Sequence, residues 1–344
     1  MLITIFLNSF LLLSVTAVFF CTNWVLIWIL VECITLCLLL LIRSNSGSSR
    51  NLEALSKYFI VQAVASFMLI FGIVLRYYFD NSIIIEGVYN YFSYFLIVSG
   101  LLIKLGTFPN PYWFVDVVNG IGYSELVYIL VVSKVSPLYI LFNLVNNEIF
   151  FLTGAVGVLT ALLASILGVN QSNFRKIVSF SSVASLGWFT LCLPLMNKWI
   201  ILFCFLSYSL AVIPAIWVAN YYNFTSLNKA SRMLFSSSEK GILILCLLSL
   251  GGLPPFIGFF VKWAFFQSLI NNSLYFFSLL LVLSSLFSLF FYLYCSFNLY
   301  SLFSVKNKGH NLVLTASSYK AVVFFVSLSV VSFVLIFSFV GAIW

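Results

Sequence analysis

Trp24-Val-Leu-Ile-Trp28-Ile-Leu-Val-Glu32-Cys-Ile-Thr-Leu-Cys37-Leu-Leu-Leu-Leu-Ile42 is nineteen residues long and carries one charge, near its middle. About 20 apolar residues is the length a helix needs to cross a hydrocarbon core. A charge at the centre of such a run costs about 2.5–3.5 kcal/mol on insertion scales. Three lysines occupy comparable places. Lys134 lies midway through Glu125–Asn146. Lys104 and Lys262 each sit beside a Pro/Gly break, in Lys104-Leu-Gly-Thr-Phe-Pro109 and Gly252-Leu-Pro-Pro-Phe-Ile-Gly258-Phe-Phe-Val-Lys262. Together the four cost on the order of 10 kcal/mol. Packing alone does not account for such a burden, and the features read as parts of a proton or cation path.

Of 344 residues, 63% are hydrophobic and 7% charged, so most of the chain does not face water. The apolar runs predict an all-α polytopic membrane protein with about eleven transmembrane helices. Their limits are near 2–21, 24–42, 57–79, 88–108, 125–145, 149–169, 174–195, 198–221, 241–270, 274–303 and 321–343. The runs 241–270 and 274–303 exceed the roughly 17–25 residues of a simple span, which predicts tilt or a break. Barrel strands of about 10 alternating residues are excluded. The largest polar gaps are 43–56, 222–240 and 304–320, so 1–344 reads as a single membrane domain. The start, Met-Leu-Ile-Thr-Ile-Phe, has no basic n-region and no Arg/Ser-rich amphipathic stretch. The first span is therefore expected to stay in the mature protein.

Three of the 16 Lys and Arg are the intramembrane lysines. Alternating eleven spans puts Arg43, Arg50, Lys57, Arg175, Lys176, Lys229, Arg232, Lys240, Lys306, Lys308 and Lys320 on the side of the N-terminus. Only Arg76 and Lys198 fall on the other side. Such an excess marks the cytoplasmic or matrix face. The net charge of +8 is then a topology signal, compatible with contacts to anionic lipid heads, and is not read as nucleic-acid binding. Lys57 and Arg76, at the two ends of the third span, read as lipid or interface anchors.

The seven cysteines lie in or beside apolar runs and form no Cys-x-x-Cys. Cys33 and Cys37 share a helix face without a third ligand, so all read as buried small residues. His310, the single histidine, sits in a polar loop. No phosphate loop or dinucleotide glycine fingerprint occurs. Any redox chemistry is expected in other chains.

Spans 1–5 and 6–10 align as two halves: 1–146 as a first five-helix unit and 147–303 as a second, leaving 304–344 as a polar loop and last helix. The fourth span of each carries a break with its lysine, Lys104 or Lys262. Five is odd, so the second unit is inverted. Paired interrupted spans mark the transport site of antiporter-like inverted repeats. Proline removes a backbone donor and frees a carbonyl, so each interrupted turn has to line protein or water.

Seven stretches now carry a resemblance. They are Trp24 to Glu32, Glu53-Ala-Leu-Ser-Lys57-Tyr-Phe-Ile-Val-Gln62, Lys104 to Trp113, Ser133-Lys134-Val-Ser-Pro137, Asn170-Gln171 with Arg175 to Ser182, Leu186-Gly-Trp188, and Ser249 to Trp263. In order and spacing they resemble the subunit 2 family of mitochondrial NADH–ubiquinone oxidoreductase (respiratory complex I), in the shortened form found in animals. The resemblance covers about 24–270. The family's full form has fourteen spans, and the animal form lacks the first three, which agrees with eleven.

By that resemblance Glu32 is the glutamate of the fifth full-length helix and Lys104 the lysine of the broken seventh. Lys134 is the connecting lysine of the eighth and Lys262 the terminal lysine of the broken twelfth. The four are then a proton relay. Burial favours a neutral lysine and a neighbouring carboxylate favours a charged one, so Glu32 and Lys104 switch together and titrate as a set. The resemblance further implies a subunit of the H+-translocating NADH:ubiquinone reductase in the mitochondrial inner membrane, with its N-terminus in the matrix and its C-terminus in the intermembrane space. Implied partners are the neighbouring antiporter-like subunit, the small membrane subunits toward the quinone site, and lipids. NADH, FMN, iron–sulfur clusters and ubiquinone belong to other subunits, and no cofactor is expected in this chain. Two departures stand out. Pro109-Asn-Pro-Tyr-Trp113 and Ser185 lack histidines that relatives usually have, so serine or water has to carry the proton there. The competing readings are a cation/proton antiporter of the same superfamily and an assembly subunit without transport.

The charge asymmetry has a direct test. Impermeant reagents or protease are expected to reach the loops 43–56 and 222–240 from the matrix side only. Labelling of either from the intermembrane space overturns the orientation.

Overall fold

In hydrocarbon every backbone N–H and C=O has to be satisfied within the chain, and long runs of Leu, Ile, Val and Phe do this as helices. The computed structural model describes residues 2–45, 49–85, 87, 89–144, 150–227, 237–254 and 256–300. In chain order the helices are α1 (Leu2–Phe20), α2 (Trp24–Asn45), α3 (Ser49–Asp80), α4 (Tyr91–Leu105), α5 (Tyr112–Gly120), α6 (Tyr123–Val127), α7 (Ser133–Leu144), α8 (Phe150–Val169), α9 (Phe174–Cys192), α10 (Lys198–Tyr222), α11 (Ser237–Gly251), α12 (Ile257–Asn271) and α13 (Tyr275–Tyr300). A π-helical turn, Tyr128–Val132, joins α6 to α7. Among the described residues, 7 helical runs are long and apolar enough to cross a membrane, and Thr4–Phe20 and Tyr91–Leu105 are apolar but shorter. The expected span 321–343 and His310 lie outside the described residues, so the count of eleven stays an expectation.

The chain divides into two compact units, Met1–Thr160 and Ala161–Trp344. In the first, α3 packs on α2, α4 and α5, and α7 packs on α1, α2 and α4. Lipid tails are as apolar as leucine, so close van der Waals contact between helices has to replace the hydrophobic drive. Small residues supply it. A Cβ on Gly72 would lie 2.7 Å from Ile97 Cγ1, and one on Gly100 would lie 2.9 Å from the Ala65 carbonyl oxygen, so α3 and α4 cross almost backbone to backbone. In the second unit α9 is buried along nearly its whole length and packs on α12 and α13.

Both expected breaks are present. The first follows α4, where Gly106 takes the left-handed conformation (φ 78°) and its N–H reaches the Ile103 carbonyl at 3.0 Å. Thr107 donates from its N–H and its hydroxyl to the Leu102 carbonyl, at 3.2 and 2.9 Å. The chain stays non-helical until α5 begins at Tyr112. The second break follows α11, at Gly252 (φ 79°). It is shorter than the Pro/Gly stretch from Gly252 to Gly258, because α12 already starts at Ile257. Gly258 serves close approach instead. A Cβ there would stand 1.7 Å from the Ser249 carbonyl oxygen.

Gly258→Ala is therefore expected to force α11 and α12 apart, at a cost above the ~1–3 kcal/mol of ordinary overpacking. Gly241→Ala, whose added Cβ would meet nothing within 4 Å, is the control. The yield of assembled protein on a blue-native gel separates them.

Candidate functional site

Lys104 is one residue before the end of α4, so its side chain starts where the helix is about to break. That side chain is 1% exposed, and its Nζ lies 2.8 Å from Oε1 of Glu32, whose side chain is 26% exposed. Glu32 sits mid-α2, so the pair ties α2 to the broken helix. The Thr35 hydroxyl donates to the Glu32 carbonyl at 2.8 Å and approaches Oε2 at 3.4 Å. The amide of Gln62, on α3, donates to the Lys104 carbonyl at 3.4 Å. Tyr58, also on α3, is buried, its ring 6.2 Å from that of Trp113.

Lys134 lies two residues past the π turn and is 1% exposed. Its Nζ stands 4.6 Å from the centroid of the Phe114 ring. Pro137 lacks the N–H that would bond the Ser133 carbonyl one turn back, and the Ser133 hydroxyl donates to Ile129 at 2.7 Å. A π turn followed by a helical proline loosens the backbone around this lysine. Glu125, at the start of α6, is buried and accepts from the Gly122 N–H at 2.9 Å.

In the second unit Lys262 donates to the Gly251 carbonyl at 2.7 Å and to the Ser288 hydroxyl at 3.4 Å. A Cβ on Gly252 would press on its stem at 2.9 Å, so the left-handed glycine also makes room for the lysine. A cavity of about 120 Å³ surrounds it, lined among others by Ser181, Ser185, Tyr208, Ser249 and Ser288. Those four serines donate to carbonyls three residues back on their own helices, at 2.7–2.8 Å. The lining is mostly apolar, with these hydroxyls and the Lys262 ammonium as its polar spots. Ser185, where relatives usually have histidine, thus shares a cavity with Lys262.

Of the four charged residues expected to act together, Glu32 and Lys104 are in contact. Lys134 belongs to the same unit but touches neither through a hydrogen bond. Lys262 lies in the other unit. The reading of Arg76 as an end anchor is corrected: it is fully buried, its guanidinium 3.7 Å from the Tyr89 ring centroid. A loop aromatic, rather than lipid, receives it. Lys57 is half exposed and pairs with Glu53 at 2.9 Å and Asp116 at 3.3 Å. Apart from Ser185, already marked by its missing histidine, the serines around Lys262 and the placing of Phe114 were not legible in the sequence, since hydroxyls and aromatics are scattered through every apolar run.

Helices of membrane-crossing length, with two breaks between shorter apolar helices and an ion pair at one of them, define a multi-pass helical membrane protein with charged groups held inside it. Residues 21–288 match the family model for the transmembrane region of NADH:quinone oxidoreductase and Mrp antiporters, and the chain belongs to this family. It is similar to NADH-ubiquinone oxidoreductase chain 2 of Patiria pectinifera, 32% identical over 80% of this chain and 78% of that one. The Anopheles gambiae chain of the same name is 32% identical over 83% of this chain and 82% of its own. A solved chain of respiratory complex I from Thermus thermophilus with bound aureothin shares the fold, with a TM-score of 0.79 at 22% identity. It covers 85% of this chain and 69% of that one.

Glu32→Ala leaves the Lys104 ammonium buried without its counter-charge. It is expected to destabilise the protein by roughly 3 kcal/mol, the low end for a buried pair because Glu32 is partly exposed. Adding Lys104→Met is expected to recover part of that loss. Thermal dissociation of the assembled protein, followed across the double-mutant cycle, measures both.

Proposed function

We propose that the chain is a core membrane subunit of proton-pumping NADH:ubiquinone oxidoreductase. In this reading it sits in the mitochondrial inner membrane with its N-terminus in the matrix and its C-terminus in the intermembrane space. Its role is to carry protons while electrons pass from NADH to ubiquinone in other subunits. The observation that carries the reading is the 2.8 Å contact of Lys104 with Glu32 beside the Gly106 break. Family membership and the animal chain 2 relatives favour it over a separate antiporter.

Glu32 and Lys104 are the switch, Lys134 the connecting site and Lys262 the terminal site. When the charge around the pair changes, Lys104 releases its proton toward Lys134, and the proton continues toward Lys262. Moving one charge against the membrane potential costs about 2.3 kcal/mol per 100 mV. That energy comes from quinone reduction and reaches this chain through neighbouring membrane subunits. Residues 1–146 and 147–303 are the two inverted units, with 304–344 as the closing loop and helix. Two repeated features support this division. Each proposed unit has a left-handed glycine, Gly106 or Gly252, at the break in its fourth span. In each, an asparagine before the second helix bridges the segment after the third, Asn23 with Ile84 and Asn173 with Ser226.

Lys104→Met keeps the apolar stem and deletes the titratable group. It is expected to give an assembled complex with fewer protons taken up per NADH oxidised in reconstituted vesicles, and slower NADH oxidation where coupling is tight. Glu32→Gln is expected to act in the same direction, and the double variant to lose less than the sum of the singles. Lys57→Met is the control and is expected to do less. Normal stoichiometry in an assembled Lys104→Met complex rejects the relay and favours an assembly role.

A further inference from the structure

The ammonium of Lys134 has no hydrogen-bond acceptor among the described residues. Its close neighbour is instead the Phe114 ring, 4.6 Å away. An aromatic face within about 6 Å attracts a cation through its quadrupole, most strongly where water is excluded. Phe114 is itself 2% exposed. It is held from two directions. A Cβ on Gly106 would lie 3.0 Å from Phe114 Cβ, so the glycine of the break gives the side chain its place. Trp113 meets the ring edge-on with centroids 5.7 Å apart, and Trp113 lies 6.2 Å from the ring of Tyr58 on α3. One residue therefore touches both the break beside Lys104 and the ammonium of Lys134.

We propose that Phe114 is a positioning residue for proton transfer to Lys134. Its ring holds the newly formed ammonium where no polar acceptor competes, and so stands against return of the proton toward the break. The transfer moves one proton: an N–H bond of Lys104 breaks, one forms on the neutral amine of Lys134, and no electron changes hands. The proposal rests on the relay reading and adds a residue that carries no charge of its own.

The test compares Phe114→Leu, which removes the quadrupole, with Phe114→Trp, which keeps it, and with Lys134→Met. Each is measured in the assembled complex in vesicles as protons taken up per NADH, beside the rate of NADH oxidation. Phe114→Leu is expected to lose as much of the proton ratio as Lys134→Met, with Phe114→Trp retaining it. A purely packing role predicts the opposite order, because tryptophan overfills the site. Phe114→Met replaces Phe114→Leu if the leucine variant does not assemble. Equal ratios for the ring-free and tryptophan variants overturn the proposal while the relay stands, provided Lys134→Met is impaired. An unimpaired Lys134→Met overturns the relay and the proposal with it.

Discussion

A lysine cannot stay charged in hydrocarbon without a partner, and a helix cannot break there without new partners for its backbone groups. The contact between Lys104 and Glu32 meets both needs at one place. The ion pair offsets part of the desolvation of two charges, while the break ends the helix beside them. Gly106, Thr107 and Gln62 satisfy the groups around that end. The crossing of α3 and α4, made close by Gly72 and Gly100, brings Gln62 to the same site. Helix packing and site chemistry in the first unit thus depend on one another.

The second break handles its lysine differently. Among the described residues no carboxylate reaches Lys262, whose ammonium is held by a freed carbonyl and a hydroxyl beside a serine-lined cavity. An ion pair supplies a counter-charge, whereas a carbonyl and a hydroxyl supply only neutral acceptors. The same device, a left-handed glycine ending a helix beside a lysine, therefore yields an ion-paired lysine in one unit and a lysine on neutral acceptors in the other. Lys134 is a third case, with an aromatic face in place of either.

Much of this was legible in the chain itself. Apolar run length set the helices, because the width of a hydrocarbon core admits few other solutions. The Gly/Pro interruptions marked both breaks, because proline and left-handed glycine act on the backbone locally. Glu32, Lys104, Lys134 and Lys262 stood out as candidates because a charge in an apolar run is expensive wherever it points. The limits of such local reasoning appear at Gly258, which looked like part of the break and is a packing glycine inside α12. They appear again at Arg76, where a basic residue near a span end looked like a lipid anchor.

What the tertiary structure alone decided is who meets whom. Glu32 and Lys104 lie 72 residues apart, and although the resemblance implies that they act together, only the fold gives their 2.8 Å contact. Phe114 is one of 39 phenylalanines, and only its position against Gly106 and Lys134 distinguishes it. The serines around Lys262 come from several helices, and only the fold gathers them at one cavity. Sequence determines where the membrane forces helices and where a charge strains them, since both follow from transfer energies of single residues. Which partner relieves each strain depends on helix crossings, and those are set by contacts between residues far apart in the chain.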